Sequence, residues 1–407
     1  MKAPTLFESE RMRLDQSIEK TIENLRHYGE RYSHWAIAYS GGKDSSATVT
    51  LVANLIEQRK IPRPKSLIVL YADTRMEMPP LQIAAMGVLE RLRERGIESQ
   101  VVLPEMDDRF FVYMLGRGVP PPNNRTLRWC TSQIKIEPMH KALRAVRDRA
   151  GEKLLMLTGV RMGESAVRDE RIVTSCSRDN AECGQGWLQV STPESIADTL
   201  APLLHWRVCH IWDWLTFFAP DAGFPTRLIA AAYGGDEAEE INARTGCVGC
   251  PLASRDVALD GVVARKEWAY LAPLKRLRPL YNELRFTRRF RLRKPGVELL
   301  KDGRIGNNPQ RLGPLTMDAR IYGLNAILQI QQKVNDAAAR DGRPCIDLIN
   351  DAESHRIREL IAANTWPNKW AGDEPLGDEL MDLVFADGTE QPLLTQIESA
   401  PGSQDKE

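Results

Sequence analysis

The stretch His34-Trp-Ala-Ile-Ala-Tyr39, continued by Ser40-Gly41-Gly42-Lys43-Asp44-Ser45, decides the fold of this chain. The first six residues form an apolar run of the kind that makes a buried parallel strand. The next six open an amphipathic stretch, Ser46 to Gln58, with helical periodicity. A glycine pair between strand and helix lets the backbone turn tightly and come close to a ligand. It also aims the N–H groups of the loop and first helical turn at an anion. Lys43 adds a mobile positive charge, and the Ser40 and Ser45 hydroxyls are suited to donate to phosphate oxygens. The spacing G-x-x-x-x-G-K-[ST] is absent, so an ordinary P-loop NTPase is not indicated.

Outward from this loop the chain alternates strand and helix to about Leu215. Short apolar runs lie at 36–39, 67–71, 100–103 and 154–157, with helical stretches at 44–59, 81–95 and 136–149 between them. This pattern predicts an α/β fold with a doubly wound, mostly parallel sheet and ligands at the carboxyl ends of its strands. A helix over about 10–30 is expected to pack across the sheet edge. The expected organisation is an N-terminal helix (1–30), a sheet domain (31–215), a cysteine-bearing segment (216–260), a mainly helical region (261–365) and an acidic, partly disordered tail (366–407).

The 407 residues include 55 acidic and 55 basic side chains, so the chain as a whole has no polyelectrolyte character. Any nucleic-acid contact must come from a local patch. No apolar run is long enough to span a bilayer, and the N-terminus lacks the apolar core of a signal peptide. A soluble cytoplasmic protein is expected. Its seven cysteines are then thiols or metal ligands rather than disulfides.

Two further strand ends carry polar residues. Asp73 and Thr74 follow the second strand, where an acidic side chain can hold a ribose hydroxyl or magnesium; a helix N-cap explains the same residues. After the fourth strand comes Thr158-Gly159-Val-Arg161-Met-Gly-Glu164-Ser-Ala-Val-Arg168. Gly159 permits close approach, Arg161 offers a planar fork for phosphate and Arg168 a second positive charge. Glu164 can orient an arginine, bind metal, or simply pair with Arg168 on an exposed helix face.

The cysteines form a second constellation. Cys247-Val-Gly-Cys250 has the spacing that turns both sulfurs to one metal centre. Cys130 lies just before a helix. The fourth thiolate is one of Cys183, Cys176 or Cys209, with Cys183 favoured for its loop and the glycine after it. Cys209 and Cys345 otherwise read as core residues, and His205 and His210 as residues of a buried helix. A [4Fe–4S] cluster is the first choice and zinc the second. A third feature is the basic stretch Lys275 to Lys294, with Tyr281, Phe286 and Phe290 interleaved, which reads either as a DNA-backbone track or as a solvated helix face.

Together these motifs resemble the PAPS-reductase-like branch of the PP-loop ATP pyrophosphatases, and within it the DNA phosphorothioation sulfurtransferases of the DndC/SspD type. The shared pieces are SGGKDS, the strand-end ADT, RWCTSQIK, TGVRMGES..R, Trp206…Trp212-Asp213, TGCVGCP and the Arg311–Arg320 segment. The resemblance implies cleavage of ATP to AMP and pyrophosphate, coupled to sulfur incorporation into DNA. Lys43, Asp44 and Arg161 would be catalytic. Ser40 to Ser45, Asp73, Thr74, Gly159, Arg161, Glu164 and Arg168 would hold ATP with Mg2+, and Cys130, Cys183, Cys247 and Cys250 the cluster. A cysteine desulfurase as sulfur donor, other sulfur-modification proteins, and DNA, met directly or through a partner, are the implied partners. Glu240 stands where some relatives carry a further cysteine, so the fourth ligand stays open. No cysteine follows Cys345, which counts against sulfonucleotide reduction. The alternatives are a tRNA thiolation enzyme, a sulfonucleotide enzyme and a non-catalytic nucleotide-binding scaffold.

Overall fold

Five parallel strands and one antiparallel edge strand make the central sheet. They are β1 (His34–Tyr39), β2 (Ser66–Ala72), β3 (Glu98–Val102), β4 (Leu154–Leu157), β5 (Trp187–Gln189) and β6 (Ala197–Ala201), in the order β3-β2-β1-β4-β6-β5. This computed structural model describes residues 12–124, 127–163, 170, 187–189, 196–233, 246–253, 255–294, 312–379, 383–384 and 390–391.

The chain steps from β1 to β2 to β3 in one direction and then returns across the sheet to β4. Right-handed crossovers therefore place α2 (Lys43–Glu57) and α3 (Pro79–Glu94) on one face and α4 (Glu137–Ala150) on the other. On the α4 side, Ala142, Leu143 and Val146 close over Ala36, Ile68, Leu70, Val102 and Leu154. The strand order reverses between β1 and β4, and the crevice at that switch point is where doubly wound sheets take their ligands. The α/β fold read from the sequence is thus the fold observed.

The sequence pattern misses β5 and β6. β6 reads Ala-Asp-Thr-Leu-Ala, with Asp198 in its middle, yet Asp198 is buried. Its carboxylate accepts from Tyr32 Oη at 2.6 Å and lies 2.8 Å from Lys153 Nζ, so the polar residue sits inside the sheet fully partnered. Helix α1 (Leu14–Gly29) also differs from expectation: it packs on the segment after β6, not across the sheet edge. Trp206 Nε1 donates to Thr21 Oγ1 at 3.0 Å, Thr21 Oγ1 donates to the Pro202 carbonyl at 3.2 Å, and Ser17 Oγ meets His210 Nδ1 at 3.2 Å. A buried indole and a buried imidazole need polar partners, and α1 presents two hydroxyls at the right spacing.

The chain divides into two compact units, Met1–Glu105 with Arg128–Ala272, and Met106–Leu127 with Pro273–Glu407. The first carries the sheet. The second contains the helix Leu277–Phe286, the antiparallel pair Arg291–Arg293 and Leu312–Leu315, the long helix Met317–Asp341 and the capped helix Asp351–Ala362. Its interior holds Arg320, fully buried. The guanidinium donates to the carbonyls of Leu315, Gly116 and Thr365 at 3.1, 3.3 and 2.7 Å and lies 4.2 Å over the Trp366 ring. Burial lowers its pKa to about 10. Of the tail, residues 366–379 fold onto this unit, where the Arg293 N–H donates to the Pro375 carbonyl at 2.9 Å. No helix among the described residues is long and apolar enough to cross a membrane.

His205, in the turn after β6, has a buried Nε2 with no hydrogen-bond partner, and burial together with Lys20 lowers its pKa to about 4. The unfolded chain protonates this ring near pH 6.5. The folded state therefore loses stability as pH falls from about 6.5 towards 4, because the unfolded state binds the extra proton. Urea denaturation of the wild type and His205→Gln across that range should show the wild type losing its advantage as the pH drops. Parallel curves would contradict the assignment.

Candidate functional site

The carboxyl end of β1 turns into α2 through Gly41, at φ +73°, and Gly42, the extended N-cap of the helix. A side chain at position 41 would be strained by that dihedral and would press on Ala85 Cβ and the Tyr71 ring at 3.3 and 3.4 Å. The loop is tied from within. Ser40 N–H donates to Ser45 Oγ at 3.2 Å, the two hydroxyls are 3.1 Å apart, and Ser45 Oγ donates to the Gly42 carbonyl at 3.1 Å. The serines thus brace the anion loop in this state, where the sequence suggested donors to phosphate. Lys43 N–H donates to the Tyr233 hydroxyl at 3.3 Å, and the Lys43 ammonium lies 5.3 Å from the Tyr233 ring centroid.

The carboxyl end of β4 meets this loop directly. A Cβ on Gly159 would stand 2.7 Å from the Ser45 nitrogen and 2.8 Å from the Asp44 carbonyl carbon, so only glycine lets the first turn of α2 pass. Two residues on, Arg161 is 3% exposed. Its Nε donates to Asp44 Oδ1 at 2.6 Å and its Nη1 to the Trp206 carbonyl at 3.4 Å. The other Asp44 oxygen is 3.1 Å from Lys43 Nζ. Burial pushes the Asp44 carboxyl up, but Lys43 and Arg161 outweigh it and hold the group below its ordinary value. Two cations on one carboxylate leave a net positive charge at the mouth of the loop, the sign an anionic ligand needs. Arg161 thus orients Asp44 from behind.

At the end of β2, Asp73 and Thr74 are buried and brace a turn instead of capping α3. The N-cap of α3 is Met78, without a side-chain bond. Asp73 Oδ1 accepts the Arg75 N–H at 2.8 Å, while Oδ2 has a 3.5 Å contact from Gln82. Thr74 Oγ1 accepts the Met76 N–H at 3.3 Å and donates to Glu77 Oε1 at 2.8 Å. Arg75 sits at φ +63°, a left-handed conformation that this bonding holds in place.

The same turn reaches the cysteines. The Val248 N–H donates to the Met76 carbonyl at 2.8 Å, the Cys250 N–H to the Cys247 carbonyl at 3.1 Å, and the Gly249 N–H to Asp256 Oδ2 at 3.2 Å. Cys247, Cys250 and Cys130 lie within electrostatic reach of one another. Burial, then Glu77, Cys250 and Cys130, push the Cys247 thiol up to about 12, with Lys135 opposing. Burial also raises Cys130 and Glu77. Among the described residues no group of three or more His, Cys, Asp or Glu side chains is arranged to hold a metal ion. Glu164, Arg168, Cys176, Cys183 and Glu240 lie outside the described residues.

Several sequence readings are corrected. Cys209 and Cys345 are exposed, not core. His210 is buried on the helix Val208–Asp213, whereas His205 precedes it in a turn. Three arginines of the basic stretch are bonded internally. Arg291 is buried and donates to the carbonyls of Arg285, Gly313 and Leu312 at 2.7, 2.7 and 3.1 Å. Arg293 is buried on the Glu379 carbonyl at 2.6 Å, and Arg288 donates to the Gly377 carbonyl at 2.8 Å. Glu77, Lys135 and Tyr233 were not singled out. Lys135 lies five residues after Cys130 and Glu77 three after Thr74; only their tertiary placement beside Cys247 marks them.

Residues 34–217 match the family model of the phosphoadenosine phosphosulfate reductase domain. Among solved structures, the phosphoadenylyl-sulfate (PAPS) reductase from Candida auris, in its phosphate complex, is similar at 13% identity with a TM-score of 0.34, over 55% of this chain and 95% of that one. The U34-tRNA thiolase NcsA from Methanococcus maripaludis, with its [4Fe-4S] cluster, is similar at 15% identity with a TM-score of 0.32, over 67% and 79%. No curated protein matches the chain. The matched segment starts at the first residue of β1 and holds the anion loop, Gly159, Arg161 and Cys130, while Cys247 and Cys250 fall beyond it. Residues 34–217 are thus similar to the phosphoadenosine phosphosulfate reductase domain.

Proposed function

We propose that this chain is an ATP pyrophosphatase that couples ATP cleavage to sulfur transfer, with the DNA backbone as acceptor. One observation carries the reading: the anion loop and the three thiols share the carboxyl edge of one sheet. The turn from Asp73 to Met78 follows β2, the neighbour of β1, and its Met76 carbonyl holds the C-x-x-C loop. A plain nucleotide hydrolase has no use for three half-buried thiols at that edge.

In this reading the ATP phosphates lie on the loop from Ser40 to Ser45. Its N–H groups and Lys43 stabilise the charge that grows on departing pyrophosphate as an acceptor oxygen attacks the α-phosphorus. Arg161 acts through Asp44, fixing the carboxylate that positions Lys43. The loosely held Oδ2 of Asp73 is the oxygen left for a ribose hydroxyl or magnesium. Mg2+, when bound, supplies the charge neutralisation that one lysine and a few N–H groups cannot give a triphosphate. The adenylated oxygen then leaves with AMP as a sulfur nucleophile displaces it.

The thiols fit an iron–sulfur cluster in their donor chemistry. Three thiols close enough to influence one another, with the Glu77 carboxyl beside Cys247, are the soft donors such a centre takes. Cys130, Cys247 and Cys250 would hold it, and bound there it supplies a site for sulfur. The internal bonding of Arg288, Arg291 and Arg293 favours delivery of DNA by a partner protein over a track along that stretch.

Protein purified without air should convert ATP to AMP and pyrophosphate, and Lys43→Ala should lower the rate about a hundredfold. ADP and orthophosphate as main products would refute the assignment. Mass spectrometry of DNA and tRNA from cells with and without the gene separates the acceptors: phosphorothioate dinucleotides support DNA, thiolated nucleosides the tRNA alternative.

Gly159→Ala forces a methyl onto the backbone of Asp44 and Ser45 and should weaken ATP binding at least about tenfold, with the fold retained. Unchanged affinity would mean the phosphates sit elsewhere. The anaerobic protein should also be brown. Serine at Cys130, Cys247 or Cys250 should each abolish the colour, whereas a colourless protein with stoichiometric zinc would displace the cluster reading.

A further inference from the structure

The anion loop is not empty-handed in this state. The Lys43 N–H, at the start of the 15-residue helix α2, is taken by the Tyr233 hydroxyl at 3.3 Å. The face of the same ring holds the Lys43 ammonium at 5.3 Å, and a Cβ on Gly42 would stand 3.2 Å from the Tyr233 oxygen. One side chain thus engages both the backbone donor and the cation through which such a loop grips an anion. Behind it, the Tyr233 ring meets Trp212 edge to face, with centroids 5.3 Å apart.

We propose that Tyr233 stands in for a phosphate group: its hydroxyl occupies the acceptor position that a phosphate oxygen takes, so nucleotide binds only by displacing it. The inference rests on the nucleotide reading of the loop. It adds a residue that competes with the ligand and lowers phosphate affinity. A phenolic oxygen is a weaker acceptor than a phosphate oxygen, so the exchange runs towards the ligand. The ring's departure from Trp212 reports it.

The test is titration calorimetry of the full chain with pyrophosphate, α,β-methylene-ATP and adenosine, for the wild type and Tyr233→Phe. Removing only the hydroxyl deletes the competing bond. The variant should bind pyrophosphate and the ATP analogue about three- to tenfold more tightly, with adenosine unaffected. Pyrophosphate should also change the tryptophan emission of the wild type and not that of Trp212→Phe, a readout that stands if Tyr233→Phe folds poorly. Weaker binding by Tyr233→Phe would mean the hydroxyl contacts the ligand, and equal binding that it contributes nothing; either overturns the inference and leaves the nucleotide reading intact. If the wild type binds neither phosphate ligand, both fall.

Discussion

The Asp44 carboxylate between Lys43 and Arg161 is the constraint from which the site is built. Asp44 and Lys43 come from the first turn of α2, and Arg161 from the end of β4, so the ion group stitches the two sides of the switch point together. It is nearly closed off from water, and removing one partner of such a buried pair typically costs about 3–5 kcal/mol. The Gly159 contact works in the same direction. It brings the backbone of β4's loop so close to α2 that the Arg161 guanidinium reaches Asp44. The helix N–H groups supply the donors, the ion group fixes their surroundings, and neither works at that place without the close approach.

The anion loop was legible because its signal is local: an apolar strand, two glycines and an amphipathic helix in unbroken sequence. The C-x-x-C turn was legible for the same reason, and Cys130 through its place before a helix. Tyr233 was not, since nothing near it in sequence marks a residue that finishes against α2 from 190 positions away. β6 was hidden because its buried Asp198 breaks the apolar pattern, and the partners that permit the burial, Tyr32 and Lys153, are distant in sequence. The internal bonding of Arg288, Arg291 and Arg293 was hidden for a related reason. Composition counts their charge, while the fold uses their five donors to satisfy carbonyls. Cys209 and Cys345 misled through the general tendency of free thiols to be buried, which says nothing about which side of a helix a given one occupies.

The turn from Asp73 to Met78 ranks beside the ion group, because it ties the end of β2 to the cysteine loop. One end follows β2 and carries the buried Asp73. The other hands a carbonyl to the loop of Cys247 and Cys250 and sets Glu77 beside the thiols. Its left-handed Arg75 is tolerated because Asp73 and Thr74 bond the backbone on either side. The end of β2 is therefore tied to the C-x-x-C loop by a short, internally bonded segment.

Arg320 has a consequence for how the chain is made. Its three carbonyl partners come from Gly116, Leu315 and Thr365, so the second unit closes around it only when both of its separated pieces exist. The earlier piece, Met106–Leu127, leaves the ribosome long before the later one begins at Pro273. At ordinary elongation rates that gap is roughly ten to thirty seconds, in which the first piece has no partners of its own unit. The sheet, whose strands all precede residue 202, can assemble meanwhile. Birth order thus makes the sheet unit the earlier to fold and leaves the second unit to be completed after it.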